Sequence, residues 1–339
     1  MKAWRIYGAG DVRLDEMKSE PVGEGCVKLK ITHSSVSLTD RLIYGGVMQT
    51  AKSPLTLGRT CVAMVTEAGE GVQSLGRGDL VVVPPYSGCG VCSACKSGRF
   101  GDCIQMLTYG VDEDGLLRDF AVVPQIDAVK LPDRVNAEDA VFTEHIAIAI
   151  AAMQRLNLEK GEHVVIAGAN VIGIILAQIA IYYQMVPVII DERAERLELA
   201  ERLGVYYTVN NVQEDVKQRV FSITGGRMAD AVVHLASAAQ PLAKSLEYAK
   251  KGGRAVVVGW NGVAVDLNVP LNTMLFRQLT IEGVNNGARS VKSAINMLAQ
   301  KSVAVAPMIS KQIGFDAVGA ALAESAALPD KYMKIVVKL

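Results

Sequence analysis

Alternation is the first pattern along the chain. Met1-Lys2-Ala3-Trp4-Arg5-Ile6 and Val27-Lys28-Leu29-Lys30-Ile31-Thr32 switch between apolar and polar residues at nearly every step. On a strand, that period places one set on a buried face and the other in water. Cys61-Val62-Ala63-Met64-Val65 and Leu80-Val81-Val82-Val83 are apolar throughout and predict more fully buried strands. Gly69, Gly71 and Gly76-Arg77-Gly78 mark the turns between them. The first 140 or so residues therefore read as β-rich. From about Ile146 helical runs alternate with short apolar strands at 163–167, 186–190, 231–234, 255–259 and 280–283. Strands separated by helices of this length predict a parallel, doubly wound sheet. After about Gly287 come a further helix and a closing strand, Ile335-Val336-Val337, expected to return to the first domain.

The almost wholly apolar stretch 171–190 is interrupted by Gly173, Gln178, Gln184 and Pro187. It predicts a helix followed by a buried strand, and no membrane span. At 339 residues, half of them hydrophobic, two domains are expected. Thirty-five basic residues balance thirty-five acidic ones, which argues against nucleic acid as a partner. The N-terminal alternation lacks the apolar core of a signal peptide. Four of the six cysteines are clustered, so metal ligation in a reducing cytoplasm is expected rather than a disulfide framework.

That cluster is Cys89, Cys92, Cys95 and Cys103, spaced C-x2-C-x2-C-x7-C in a glycine-studded loop. Four thiolates so spaced can close a tetrahedron around one zinc and leave no open position, so the expected role is structural. Iron–sulfur spacing of the ferredoxin type ends C-x3-C-P, so the seven-residue last spacer favours zinc.

After the strand at 163–167 comes Gly168-Ala169-Asn170-Val171-Ile172-Gly173, a G-x-G-x-x-G dinucleotide fingerprint with its middle glycine replaced. Asn170 tolerates unusual backbone angles better than most residues, so the turn is expected to survive with a tighter approach for phosphate. Asp191, eighteen residues beyond Gly173, closes the next strand. A carboxylate there accepts from the ribose hydroxyls of NAD and repels the extra phosphate of NADP.

Together these segments resemble the medium-chain dehydrogenase/reductase family, in its zinc-type alcohol, polyol and threonine dehydrogenase branch. The likeness spans essentially the whole chain and includes Glu67-Ala68-Gly69-Glu70-Gly71-Val72, Gly78-Asp79, the cysteine lobe, Lys130-Leu131-Pro132-Asp133, Arg196-Leu197-Glu198-Leu199-Ala200 and Lys334-Ile335-Val336-Val337. The resemblance implies an α/β fold: a GroES-like β-rich catalytic domain (1–146 and 287–339, lobe at 86–104) and a Rossmann NAD-binding domain with a doubly wound parallel sheet (147–286). It further implies NAD(H), one structural zinc per chain, a small-molecule substrate and a cytoplasmic homodimer or homotetramer. Cofactor contacts are implied at Gly168, Asn170, Val171, Ile172, Gly173, Asp191, Arg196 and Lys334.

The second, catalytic zinc of this family is held by a cysteine in a C-G-T-D-like turn, by the histidine and often the glutamate of G-H-E, and sometimes by a later glutamate before proline. Here those positions carry Ser37, Arg59, Thr60 and Glu144, the last followed by His145. A neutral serine is a poor ligand and an arginine cannot be one, so no catalytic zinc is expected. The minority alternative is a site rebuilt from Glu144, His145 and His33. Asp40, which orients a zinc-bound histidine in relatives, is expected to pair with Arg59 instead. Such a guanidinium either polarises a substrate carbonyl or plugs the emptied pocket. Thr39 matches the family's proton-relay hydroxyl, and Glu144 and His145 are acid–base candidates. Beside the alcohol/carbonyl couple, reduction of an activated alkene or iminium stays open, as does a non-catalytic nucleotide-binding role. His163, His234, Cys26 and Cys61 are expected to be structural.

Overall fold

A computed structural model of the chain describes residues 1–236, 240–259 and 269–339. They divide into two compact units. The first comprises Met1–Glu144, Val291–Ala299 and Val305–Leu339; the second comprises His145–Ser290 and Gln300–Ala304.

In the first unit, Cys26–Val36 is the central strand. It pairs with Cys61–Ala68, Phe120–Pro124 and Lys334–Lys338 in a seven-stranded sheet that Leu80–Val83, Val129–Lys130 and Ile309–Gly314 complete. The alternation along this strand becomes a face. Val27, Leu29 and Ile31 are fully buried against Ala63, Val65, Val81 and Val123, each such side chain contributing roughly 2 kcal/mol. Met64 departs from the fully buried reading of its segment, with 42% of its surface in solvent. The C-terminal strand enters antiparallel, with Ile335 opposite Val36, as the apolar run near the end of the chain predicts. A three-stranded sheet of Asp11–Glu16, Lys2–Gly8 and Leu55–Thr56 lies beside it in the same unit.

Among the described residues, the second unit holds six parallel strands. Their spatial order is Tyr207–Asn210, Val186–Asp191, His163–Ala167, Ala229–Leu235, Ala249–Val258 and Thr280–Val284, or 3-2-1-4-5-6 in chain order. In such a sheet, dinucleotides bind beyond the carboxyl ends of the strands where the order reverses, which is between His163–Ala167 and Ala229–Leu235. The stretch 171–190 resolves into the helix Val171–Tyr182, buried on nearly every side, and the strand Val186–Asp191. Gln184 makes the turn between them at φ +65. No helix among the described residues is long and apolar enough to cross a membrane.

Candidate functional site

At the reversal point the glycine motif joins His163–Ala167 to the helix Val171–Tyr182. Gly168 sits at φ +112, where side chains are strained. A Cβ on Gly173 would stand 2.0 Å from Gly168 O, so strand and helix can approach only with glycine there. The middle position makes no such demand. Asn170 is extended (φ −78, ψ −176) and its side chain accepts from Gly173 N at 3.0 Å as the N-cap. Its tolerance of unusual angles, expected from the sequence, is not what the turn uses; its capping capacity is. Val171 and Ile172 open the helix whose N-terminal dipole faces this crest.

Asp191 ends its strand 9% exposed. Its carboxylate accepts from Ala169 N at 2.6 Å and Arg193 N at 3.0 Å, with Arg196 Nη1 4.0 Å away. It therefore ties the second strand to the glycine turn.

The cysteine lobe gathers as its spacing predicts. The four Sγ atoms lie within 4.8 Å of one another, and Cys92 Sγ is 3.9 Å from Cys103 Sγ. Tetrahedral zinc with Zn–S bonds of about 2.3 Å requires sulfurs about 3.8 Å apart, so the donors fit the metal. Backbone N–H groups of Cys92 and Val91 pull the Cys89 thiol down to about 6, whereas burial pushes Cys95 up to about 12. Ionising all four together requires a cation. The lobe is anchored at its stem by buried Asp127, which accepts from Tyr109 Oη at 2.8 Å and is also bonded by Ser87 and Gly88.

The residues at the family's catalytic-zinc positions form a different arrangement. Arg59 Nη2 donates to Glu144 Oε1 at 2.9 Å, with side chains 14% and 10% exposed. Thr60 Oγ1 donates to Glu144 Oε2 at 3.3 Å, and Tyr86 Oη reaches Oε1 at 3.4 Å. Burial, the largest single influence, opposes the Arg59 charge, but Glu144, Tyr86 and Asp40 together outweigh it and raise the guanidinium above its ordinary value.

The expected Asp40–Arg59 hydrogen-bonded pair is absent. Asp40, fully buried, accepts from Ser37 Oγ at 2.5 Å, Ser37 N at 2.8 Å and Gly58 N at 2.9 Å. The reason is local: Ser37-Leu38-Thr39-Asp40 is a capping box that opens the helix Leu38–Tyr44, and Ser37 Oγ accepts in return from Asp40 N at 3.1 Å. Arg59 acts on Asp40 only through its field; burial raises the Asp40 carboxyl despite these bonds. Thr39 stands half-buried in the first turn of the same helix.

Two further residues join this cluster. Tyr86, three residues ahead of Cys89, carries Arg59 Cζ 6.0 Å from its ring centroid; sequence reading missed it, because a lone tyrosine before the lobe has no motif. Lys334, assigned to the cofactor by resemblance, lies in the first unit, 4% exposed, with the Phe142 ring centroid 5.6 Å from Nζ. His145 is the half-buried first residue of the second unit. The charged neighbours of His33 are Glu138 and Lys338, so His33 and Glu144 do not form one site. His234 is buried with Nδ1 2.9 Å from Ser245 Oγ, and His163 lies 3.9 Å from Asp230. Cys61 is a buried thiol raised by burial to about 12.

A second dication does not fit these residues. Ser37 is committed to its cap, Arg59 stands in place of a ligand, and Glu144 is already engaged by Arg59, Thr60 and Tyr86. Among the described residues, the four cysteines form the one group of three or more His, Cys, Asp or Glu side chains that could hold a metal ion.

Residues 23–133 match the alcohol dehydrogenase GroES-like domain and residues 171–300 match the zinc-binding dehydrogenase family. An uncharacterized zinc-type alcohol dehydrogenase-like protein of Haemophilus influenzae is 31% identical over 99% of this chain and 98% of its own. An L-threonine 3-dehydrogenase of Pyrococcus furiosus is 32% identical over 84% and 81%. Among solved structures, a putative zinc-binding dehydrogenase of Sinorhizobium meliloti bound to NADP superposes with a TM-score of 0.90 at 25% identity, covering 100% and 99% of the two chains. An Escherichia coli alcohol dehydrogenase complexed with NADH gives 0.89 at 25% identity, again over 100% and 99%. The strand order, the glycine crest and the cysteine lobe agree with these likenesses: the chain belongs to the zinc-type alcohol dehydrogenase family of medium-chain dehydrogenases/reductases, NAD(P)-linked oxidoreductases.

Proposed function

We propose that this protein transfers hydride between NAD(H) and an alcohol or carbonyl carbon without a catalytic zinc, keeping one structural zinc in the lobe of Cys89, Cys92, Cys95 and Cys103. The observation that carries this reading is the Arg59–Glu144 pair, 2.9 Å apart, at two positions where relatives hold the metal. The first unit supplies the chemistry and the second holds the nucleotide. Gly168, Asn170 to Gly173, Asp191 and Arg196 cradle NAD(H), and the Asp191 carboxylate favours it over NADP. Thr39 relays protons, Ser37 and Asp40 fix the helix that carries Thr39, and Glu144 with His145 completes the acid–base inventory.

Because Glu144 already takes up much of the Arg59 charge, the guanidinium is a weaker electrophile than an unpaired one. That favours, as a second reading, substrates carrying their own activation, such as an enone or iminium. The family resemblance supports a cytoplasmic homodimer or homotetramer. The helix Leu271–Arg277 adds apolar surface suited to association, with Leu271, Leu275 and Phe276 exposed by 67%, 60% and 76%.

Elemental analysis tests the core of this reading. One zinc per chain is expected, with turnover that survives brief exposure to a chelator of accessible metal. Two zincs per chain, or inactivation that added zinc reverses, would replace it with a rebuilt metal site.

A further inference from the structure

The chain enters and leaves the cysteine lobe through two short strands, Tyr86–Ser87 and Leu107–Thr108. They pair antiparallel, Tyr86 opposite Thr108 and Ser87 opposite Leu107. Next to them Tyr109 N donates to Pro85 O at 2.9 Å. Two pairs of residues make a weak ladder, so this stem needs a further tie to hold the loop closed.

Asp127 supplies that tie. It ends the turn Gln125–Asp127, which directly follows the strand Phe120–Pro124 and is thereby fastened to the central strand Cys26–Val36. Asp127 and Tyr109 are each 4% exposed. From the exit side of the lobe the carboxylate accepts from Tyr109 Oη at 2.8 Å; from the entry side it accepts from Ser87 Oγ and Gly88 N. Gly88 is joined to Cys89, the first sulfur donor, and Tyr109 closes the segment that starts at Cys103, the last one. Cys89 N in turn donates to Cys103 Sγ at 3.4 Å, so the first and last donors already touch.

Resting on the reading of the lobe as a zinc site, we infer that Asp127 is a positioning residue for that metal. It sets the zinc affinity of the lobe by holding Cys89 and Cys103 together, with Tyr109 and Ser87 as its two arms. The physical reason is loop closure. Zinc binding to an open loop must bring the loop ends together and loses that entropy from its binding free energy. A loop already closed by a buried carboxylate presents its first and last thiols at once, so less ordering is left for the metal to do.

Hydrogen-bonding partners that orient metal ligands typically govern about 10–100-fold in metal affinity. Asp127 acts through the Ser87-Gly88 backbone and Tyr109 instead of on a sulfur, which places its effect at the lower end of that range. The arms are coupled through one acceptor, so their losses should not add. A buried carboxylate that merely fills space would change folding stability and leave zinc affinity alone, which separates the two roles.

The test measures zinc Kd on the full chain by competition with the indicator 4-(2-pyridylazo)resorcinol, beside the melting temperature of each variant. Asp127→Ala should raise the zinc Kd by about ten-fold or more. Asp127→Asn, which keeps one acceptor oxygen, should fall between it and the parent. Tyr109→Phe and Ser87→Ala should each raise the Kd by less, and Tyr109→Phe added to Asp127→Ala should raise it no further. Leu29→Ala, a core change in the same unit, should lower the melting temperature and leave the zinc Kd within about two-fold. An Asp127→Ala protein that melts earlier but keeps its zinc Kd within about two-fold of the parent overturns the inference. If Asp127→Ala does not fold, Tyr109→Phe and Ser87→Ala decide, and unchanged Kd values in both overturn it. A parent chain that takes up no zinc would instead overturn the reading of the lobe as a zinc site.

Discussion

Arg59 illustrates how much a single position can change. Removing one partner of a buried ion pair strands the other, so Arg59→Ala should lower unfolding free energy by roughly 2–4 kcal/mol, measured in denaturant. Replacing both with Arg59→Met and Glu144→Leu should recover most of that. A single variant as stable as the parent would mean that water, not Arg59, satisfies Glu144.

Asp191→Ala should cost NAD binding about 1–2 kcal/mol and narrow the gap to NADP, read from parallel titrations. It should also lower the melting temperature, because Ala169 N and Arg193 N lose their acceptor. His234 is pulled down to about 4 by burial. The unfolded chain takes up that proton near 6.5 and the native one only near 4, so this contribution to stability is complete above 6.5 and lost as pH falls between the two. His234→Gln should flatten that part of the stability–pH curve relative to the parent.

At this scale the sequence announced which residues matter more clearly than what they touch. Arg59 stood out as an impossible ligand, but its partner was misread. Whether Asp40 turned to Arg59 or to its own helix depended on the competition between a capping box and a long-range ion pair, and spacing alone does not rank those.

At the level of elements, the lobe is a short, loop-rich segment with few buried side chains of its own. Its order depends on the sulfur cluster and the Asp127–Tyr109 stem. Cys95→Ser should release zinc and lower the melting temperature while leaving residual activity in whatever fraction stays folded, since structural zinc contributes directly to folding. Unchanged zinc content and melting temperature would show that the lobe is not a zinc site. Four cysteines at fixed spacing made this element readable in advance, whereas Tyr86, sitting at its base, had nothing to mark it.

The glycine crest was equally readable at Gly168 and Gly173, where backbone conformation and contact exclude any side chain. At Asn170 the pattern said only that a glycine was missing. That the backbone there is extended, and that the amide caps the helix, emerges only from the coordinates. The strand Tyr207–Asn210 escaped notice because two of its four residues are polar.

For the whole molecule, a parallel doubly wound sheet was legible in the alternation of short apolar runs with helices while its strand order was not, and the last strand pairs with Cys26–Val36 in the first unit. That return has a consequence for synthesis. The edge of Cys26–Val36 that receives Lys334–Lys338 emerges from the ribosome roughly 300 residues before its partner, a wait of about 15–60 s at ordinary elongation rates. Meanwhile most of the second unit, continuous from His145 to Ser290, can be folding. Until the last strand arrives, the first unit presents an open β edge next to Ser37, so a nascent chain can complete most of its second unit well before its first. An exposed edge of this kind is where premature pairing between neighbouring chains begins.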